Sequence, residues 1–350
     1  QYEAGEKPSE MSLRKQYNSI KPIEFPWALD VTKCAPQYAI KNMGTAFKNF
    51  FRNVKQGKKP GYPKFKKKGQ HDSLRADNGP QKKGESAVKV DGKRIQLPRI
   101  GWIKMREEVR FHGCIQSTTV SKMADGWYVS VLVETEDRLQ TKMDKGAVGV
   151  DLGVKSLAVL SDGTEIVGPK PHKTTSKRLR RLNKSLSRKK KGSANSKKAK
   201  AKLSRLHKKI SDIRKDALHK LSHKLVTEYS VIGIEDLNVK GMVKNRCLAR
   251  TISDQGFGNL RTMIEYKSTM TGAAVVVVDR WFPSSKTCHT CGTIHELKLS
   301  DRIVQCDCGN VIDRDVNAAI NIKNYAVSST VSACGENGSG AALAAWNHSR

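Results

Sequence analysis

Acidic residues are scarce in this chain. Thirty-three Asp and Glu stand against 65 Lys and Arg in 350 residues, leaving a formal net charge of +32 and a pI near 9.9. An excess of that size needs a polyanion nearby, and nucleic acid fits it best. An anionic membrane surface fits less well, because the sequence shows neither an amphipathic anchor nor a lipidation motif. Long apolar runs are missing too, which argues against a membrane-spanning helix. The opening residues, QYEAGEKPSE, are polar and lack the pattern of a secretory leader. At 350 residues the chain is long enough for two or three domains with a core each, and its apolar content of 37% is low but adequate for a globular protein. Cysteines are few, and they do not read as a disulfide scaffold. Cys34, Cys114, Cys247 and Cys334 are scattered, while the other four cluster between Cys288 and Cys308. In a Lys-rich chain without a leader that clustering points to metal and to a reducing compartment, with the cytoplasm as the expected location.

The pattern of what is present divides the chain. Ile40, Met43, Phe47, Phe50 and Val54 recur at helical steps and predict a helix over 35–54. The stretch 57-GKKPGYPKFKKKGQ-70 breaks it, mixing Tyr62 and Phe65 with lysines including Lys64, Lys66 and Lys67. Aromatics among lysines suit base stacking beside phosphate contacts, and equally suit a solvated loop anchored by its rings. Residues 87–136 read as short strands with turns at Asp91-Gly92 and Asp125-Gly126, a small β-barrel or curled sheet. From Ala147 the order becomes strand, strand, strand, long helices, strand, helix, strand, a mixed α/β domain.

The most basic part runs from Lys173 to Lys224, where 21 Lys and Arg face only Asp212 and Asp216. Leu203, Leu206, Ile210, Ile213, Ala217, Leu221 and Leu225 form one apolar face; Leu179, Leu182 and Leu186 form another. The break at 191-KGSANS-196 makes this a helical hairpin. Its apolar face docks while Arg178, Arg180, Arg181, Arg188, Lys189, Lys190, Lys197, Lys198 and Lys202 supply charge for a phosphate backbone. Residues 326–350, rich in Ala, Ser and Gly, are expected to be a disordered tail.

Three segments place an acid at the end of a strand or the start of a helix: 147-AVGVD-151, 231-VIGIEDL-237 and 311-VIDRDVNAAINIKN-324. Each acid alone is ordinary, and Asp315 would serve as a helix cap. Acids from such positions can converge at one edge of a sheet, where they repel one another and raise each other's pKa. Divalent cations such as Mg²⁺ relieve that repulsion, and two of them can clamp a phosphodiester during displacement. Further on, Cys288-x2-Cys291 and Cys306-x-Cys308 offer four thiolates, with Gly292 and Gly309 after the pairs. That set suits a structural, tetrahedral Zn²⁺; His289 and His295 are the weaker substitutes.

The segments GVDLGVKSLAVLSDG, IGIEDLNVKGM, FPSSKTCHTCG and CDCGNVIDRDVNAAINI together resemble the TnpB proteins, OrfB-type products of insertion sequences. The resemblance runs from about Tyr17 to Tyr325 and includes GYPKFKKK and IQLPRIGWIKMR. It implies a mixed multidomain α/β and β architecture. An RNase H-like, RuvC-type nuclease domain (141–325) would carry the basic hairpin (173–229) and an inserted zinc ribbon (284–311). A β-rich wedge-like domain (72–140) and a helical recognition segment with basic linker (1–71) would precede it. The resemblance implies Asp151, Glu235 and Asp315 as catalytic Mg²⁺ ligands, with Asp313 structural, and Cys288, Cys291, Cys306 and Cys308 as zinc ligands. It further implies an RNA-guided DNA endonuclease whose guide derives from the transposon end, in a prokaryotic cytoplasm at the nucleoid. One departure is C-x-C where the family also has C-x2-C. Another is that the family's strand and helical segment ahead of Tyr17 is not evident, which would impair the wedge sheet. The competing expectations are a nuclease-inactive or truncated nucleic-acid-binding protein (a guided repressor or a transposition-accessory factor) and a basic zinc-ribbon RNA-binding protein of ribosomal type.

Overall fold

The structure is a computed structural model and describes residues 9–67, 69, 72–79, 86–135, 144–298 and 301–335. The chain divides into two compact units, residues 1–137 and 138–350.

The first unit opens with α1 (Glu10–Glu24), started by a reciprocal cap in which Ser9 and Ser12 each accept the other's backbone N–H at 3.0 Å. A 3-10 turn (Pro26–Leu29) leads to α2 (Cys34–Lys55). The rings of Phe47 and Phe50 on α2 meet Tyr62 edge-on at 5.6 and 5.5 Å, so Tyr62 anchors the basic loop. Phe65, at 97% exposure, does not. Six strands follow: β1 (Ser73–Asp77), β2 (Lys89–Asp91), β3 (Arg94–Leu97), β4 (Gly101–Lys104), β5 (Cys114–Lys122) and β6 (Trp127–Glu134). They form two antiparallel sheets, β1-β5-β6 and β2-β3-β4. The two share a core of Ala76, Val88, Ile95 and Leu97, with Ile115, Val120 and Val129 packed on it. Among the described residues no ladder joins the sheets into a closed barrel. The Tyr38 hydroxyl donates to the Asp77 carboxylate at 2.6 Å and ties α2 to β1.

The second unit begins with β7 (Ala147–Asp151), β8 (Ala158–Leu160) and β9 (Glu165–Ile166). The hairpin follows as α3 (Pro171–Ser187) and α4 (Ala194–Glu228). Next come β10 (Val231–Glu235), α5 (Val239–Met242), α6 (Ala249–Gln255), α7 (Phe257–Thr271) and β11 (Ala274–Val278). A two-stranded ladder, β12 (Ile303–Gln305) and β13 (Val311–Asp313), leads into α8 (Arg314–Gly335). The five-stranded sheet has the order β11-β10-β7-β8-β9, parallel from β11 to β7 and antiparallel beyond.

Side-chain alternation along these strands sorts the layers. Val148 and Val150 on β7, and Ile232 and Ile234 on β10, pack against Leu218, Leu221 and Leu225 of α4 and Leu260 and Ile264 of α7. The positions between them are Gly149 and Gly233, paired in register across the two strands. Their free side takes α8. A Cβ on Gly149 would lie 1.9 Å from the Ala319 carbonyl oxygen, and one on Gly233 2.8 Å from that of Ile322. Only glycine lets the helix backbone approach so closely.

The hairpin forms as its leucine pattern predicts, with Leu179 of α3 buried against Leu206 and Ile210 of α4. Asp254 of α6 seats its start, accepting the backbone N–H of His172 at 3.0 Å and of Lys173 at 3.1 Å. The tail expectation needs correction: α8 continues through residues 326–335, and only 336–350 lie outside the described residues. Burial extends it: Ala326 is fully buried beside Gly233. The hydroxyls of Ser328, Ser329 and Thr330 are satisfied by carbonyls four residues earlier within the helix. Among the described residues no helix is long and apolar enough to cross a membrane.

Candidate active site and metal centre

The strand pattern that places Gly149 and Gly233 under α8 also places the acids. Asp151 and Glu235 follow two residues later, so they share the face that α8 covers. Val150 pairs with Ile234 across the parallel strands, which puts the two acids side by side at the carboxyl ends of β7 and β10. Asp315 lies in the first turn of α8. Four helical residues separate it from Ala319, a rise of about 6 Å. Two strand residues separate Asp151 from Gly149, a rise of about 6.6 Å. Since Ala319 sits on Gly149, Asp315 comes level with Asp151.

The electrostatics agree with this placement. Burial, then the negative charges of Glu235 and Asp315, push the Asp151 carboxyl up to about 8; Arg314 pulls the other way. Burial raises Glu235 as well, opposed by a hydrogen bond from the Ser284 hydroxyl to its Oε1 at 2.6 Å. Two carboxyls lifted in this way at one edge make a pocket that favours protons or cations.

The neighbouring acids have other work. Asp313 caps α8, its Oδ1 accepting the N–H of Asp315 at 2.8 Å and of Val316 at 3.3 Å. Asp315 is therefore not the cap. Asp236 is bound by Arg261 at 2.6 Å and Arg280 at 2.5 Å, which hold it below the usual carboxylate range despite some burial.

Several contributors carried no obvious signal in the sequence. Ser284, which is buried and bonds Glu235, belongs to the loop after β11. Asn321 on α8 is buried and donates to the carbonyls of Ser284 at 2.8 Å and Thr287 at 2.6 Å. Asn317, four residues earlier, donates to the Thr287 carbonyl at 2.7 Å and accepts from the His289 N–H at 3.0 Å. Two asparagines one turn apart, in the otherwise apolar stretch 316-VNAAINI-322 of α8, were the available clue.

That loop leads into the thiol cluster. The sulfurs of Cys288, Cys291, Cys306 and Cys308 all lie within 4.8 Å of one another. Cys288 and Cys308 are 3.7 Å apart, and Cys291 and Cys306 3.4 Å. A tetrahedral site with metal–sulfur bonds of about 2.3 Å separates its sulfurs by about 3.8 Å, so four thiolates at these distances fit one ion. Cys288 is buried and accepts from Asn310 at 3.4 Å, as a ligand with a supporting hydrogen bond would. The histidines do not substitute: His289 Nδ1 is 3.0 Å from Asn317 Oδ1, and His295 is outside the four-residue group. Gly292 and Gly309 take positive φ, +79° and +89°, at the turns after each pair.

All twelve basic residues expected to meet nucleic acid are exposed. Lys64, Lys66 and Lys67 lie after α2 in the first unit. Arg178, Arg180 and Arg181 lie on α3, Arg188, Lys189 and Lys190 at the turn of the hairpin, and Lys197, Lys198 and Lys202 on α4.

The chain is similar to known proteins. Residues 130–246 match the OrfB IS605 family, described as "Probable transposase", and residues 257–322 match the Cas12f1-like TNB domain. A Streptomyces pristinaespiralis protein named "Putative RNA-guided DNA endonuclease" is 41% identical over 319 residues, covering 90% of this chain and 76% of its own. Escherichia coli K12 InsQ, which carries the same description, is 36% identical over 332 residues, covering 89% and 79%. Among solved structures, Cas12f1 in its complex with guide RNA and target DNA superposes with a TM-score of 0.55 at 16% identity, covering 92% of this chain and 77% of that one. The chain thus has the Cas12f-like α/β fold of an OrfB-type, transposon-associated protein. It belongs to the TnpB family.

Proposed function

We propose that the chain is an RNA-guided DNA endonuclease that cuts phosphodiester bonds at Asp151, Glu235 and Asp315 with two Mg²⁺ ions. The observation that carries this is the shared face: two paired strands, each reading Gly-x-acid, bring Asp151 and Glu235 under the first turn of α8, where Asp315 stands. The five-stranded order, with three parallel strands and an antiparallel hairpin, supports an RNase H-like, RuvC-type reading of this unit. The paired sheets of the first unit take the wedge-like role and α2 the recognition role.

The residues fit the ions. Asp151, Glu235 and Asp315 offer carboxylate oxygens alone, the donors Mg²⁺ prefers, and burial raises two of them, so positive charge is favoured there. When bound, the ions supply positive charge that lets the acids ionise together and that stabilises the developing charge on the phosphodiester. The protein's own residues prepare this. Burial and the neighbouring acids favour the protonated form of Asp151 in the ion-free protein, and bound ions would favour its carboxylate. Ser284 fixes the rotamer of Glu235, and Asp313 fixes the start of α8 so that Asp315 keeps its position. Zn²⁺ on the four thiolates would act structurally, holding the ribbon to α8 through Asn317 and Asn321.

Exposed charge on the α3–α4 hairpin and the Lys64–Lys67 loop would hold the guide and the target backbone, while base pairing reads sequence. The RNA would come from the transposon end beside the gene. The test is to load the chain with a transcript of that end and supply DNA matching or mismatching it. Mg²⁺-dependent cutting of the match alone supports the reading. Tight binding without cutting would favour the alternative, a nuclease-inactive nucleic-acid-binding protein.

A further inference from the structure

Trp281 has no place in the fold, yet it stands beside the proposed site. Its side chain is 86% exposed, one of the most exposed large apolar residues described. The loop that carries it is fixed on both sides. Before it, Arg280 donates from Nη2 to Asp236 Oδ2 at 2.5 Å and from Nε to the Asp236 carbonyl at 3.1 Å. After it, Phe282 packs on Tyr325 of α8 with ring centroids 5.1 Å apart, and Ser284 bonds Glu235. The Trp281 N–H itself donates to Asp279 Oδ1 at 2.8 Å. A mobile loop would explain an exposed indole cheaply; a loop tied to both Glu235 and Asp236 does not.

The chain can extend at most about 3.6 Å per residue, so the Trp281 backbone lies within about 11 Å of that of Ser284. Along a stacked strand that distance is on the order of three nucleotides. An indole face at this reach, in a protein of charge +32, matches one occupant: an unpaired base of the strand being cut. Stacking needs no sequence readout, which suits a protein whose specificity lies elsewhere.

We propose that Trp281 stacks on an unpaired base within about three nucleotides of the scissile phosphate and so positions that strand over Asp151, Glu235 and Asp315. The inference rests on the endonuclease reading above. Trp281 is a positioning residue, so its removal acts on strand binding more than on chemistry.

The test uses the full chain in two assays. In Mg²⁺-free buffer, an oligothymidylate of about twenty nucleotides should quench tryptophan fluorescence, and Trp281→Phe should lose a distinct share of that quenching although four other tryptophans remain. With Mg²⁺ and guide, Trp281→Ala should raise KM for single-stranded cutting about 5- to 100-fold with kcat within about threefold, and Trp281→Phe should restore most of it. Equal quenching in wild type and Trp281→Phe, with an unchanged KM in Trp281→Ala, overturns the proposal. So does self-association of the free wild-type chain that Trp281→Ala abolishes, because the indole would then belong to a protein interface. If the endonuclease reading fails, no variant cuts, but the difference in quenching survives; the two failures are thus distinguishable.

Discussion

Replacing Gly149 with Ala probes the tightest approach made on any described glycine of the second unit. The added Cβ would meet the Ala319 carbonyl oxygen at 1.9 Å and the Lys323 nitrogen at 2.5 Å. Both are backbone atoms, so no side-chain rotation relieves them. An ordinary C···O contact is about 3.4 Å, and α8 must retreat by about 1.5 Å to reach it. Overpacking of this kind costs about 1–3 kcal/mol when side chains can yield. With only backbone in the way, we expect about 3 kcal/mol or more, a fall in melting temperature of roughly 6–12 °C for a unit of this size. The same retreat carries Asp315 away from Asp151, and a misplacement near 1 Å can cost about 100-fold in rate. Gly233→Ala is the graded control. Its Cβ would meet the Ile322 carbonyl oxygen at 2.8 Å and the Ala326 Cβ at 3.0 Å, so a shift of about half an ångström suffices. Thermal unfolding of the zinc-loaded proteins and single-turnover cleavage should rank wild type above Gly233→Ala above Gly149→Ala. Wild-type melting and cutting in Gly149→Ala would refute the argument, as would a reversed order of the two variants.

Other consequences are open to measurement. The folded-state pKa of Asp151, about 8 against an ordinary 3.8, means the folded state binds more protons than the unfolded state between those values. Stability of the Mg²⁺-free protein should therefore fall as pH rises from about 4 to 8, and Asp151→Asn should remove the loss. Urea midpoints should match wild type below pH 4 and show a gain of about 2–5 kcal/mol above pH 8; a variant less stable than wild type at pH 8.5 contradicts this. Mg²⁺ affinity should rise with pH up to about 8, read by calorimetry in two buffers as proton release. Ser284→Ala removes the bond that lowers Glu235, so the acid limb of the cleavage profile should move to higher pH with a rate loss of about tenfold or less. Cys306→Ala should release bound zinc and lower the melting temperature of the second unit, because Asn317 and Asn321 then anchor α8 to a loosened loop.

What the sequence made legible depended on periodicity. The hairpin was readable because Leu203, Leu206, Ile210 and Leu221 keep helical steps through a dense run of lysines. The strands β7 and β10 were readable as apolar runs that end in an acid. The thiol cluster was readable from spacing alone, since two close pairs need only one loop to meet. What stayed hidden depends on contacts between distant segments. Gly149 and Gly233 look like weak points in their strands until α8 lies on them. Asp313 and Asp315 are equally good caps by residue type, and only the start of α8 at Arg314 decides between them. Ser284 bonds a residue 49 positions away, beyond any local pattern. The strands of the first unit carried turn signals but nothing that fixed which would pair, so two sheets and a barrel read alike. The tail misled by composition, because burial of Ala326 is invisible in an Ala/Ser-rich run.

The central claim is that Asp151, Glu235 and Asp315, and not their acidic neighbours, make one cutting site. The most direct measurement is Mg²⁺-dependent cleavage by guide-loaded protein carrying Asp151→Asn, Asp315→Asn or Asp313→Asn. Asparagine caps a helix about as well as aspartate, so Asp313→Asn should keep α8 and cut within a few-fold of wild type. Asp151→Asn and Asp315→Asn should bind DNA as wild type does and show no cutting. Cleavage that survives Asp151→Asn or Asp315→Asn, or that vanishes in a folded Asp313→Asn protein, would contradict the account.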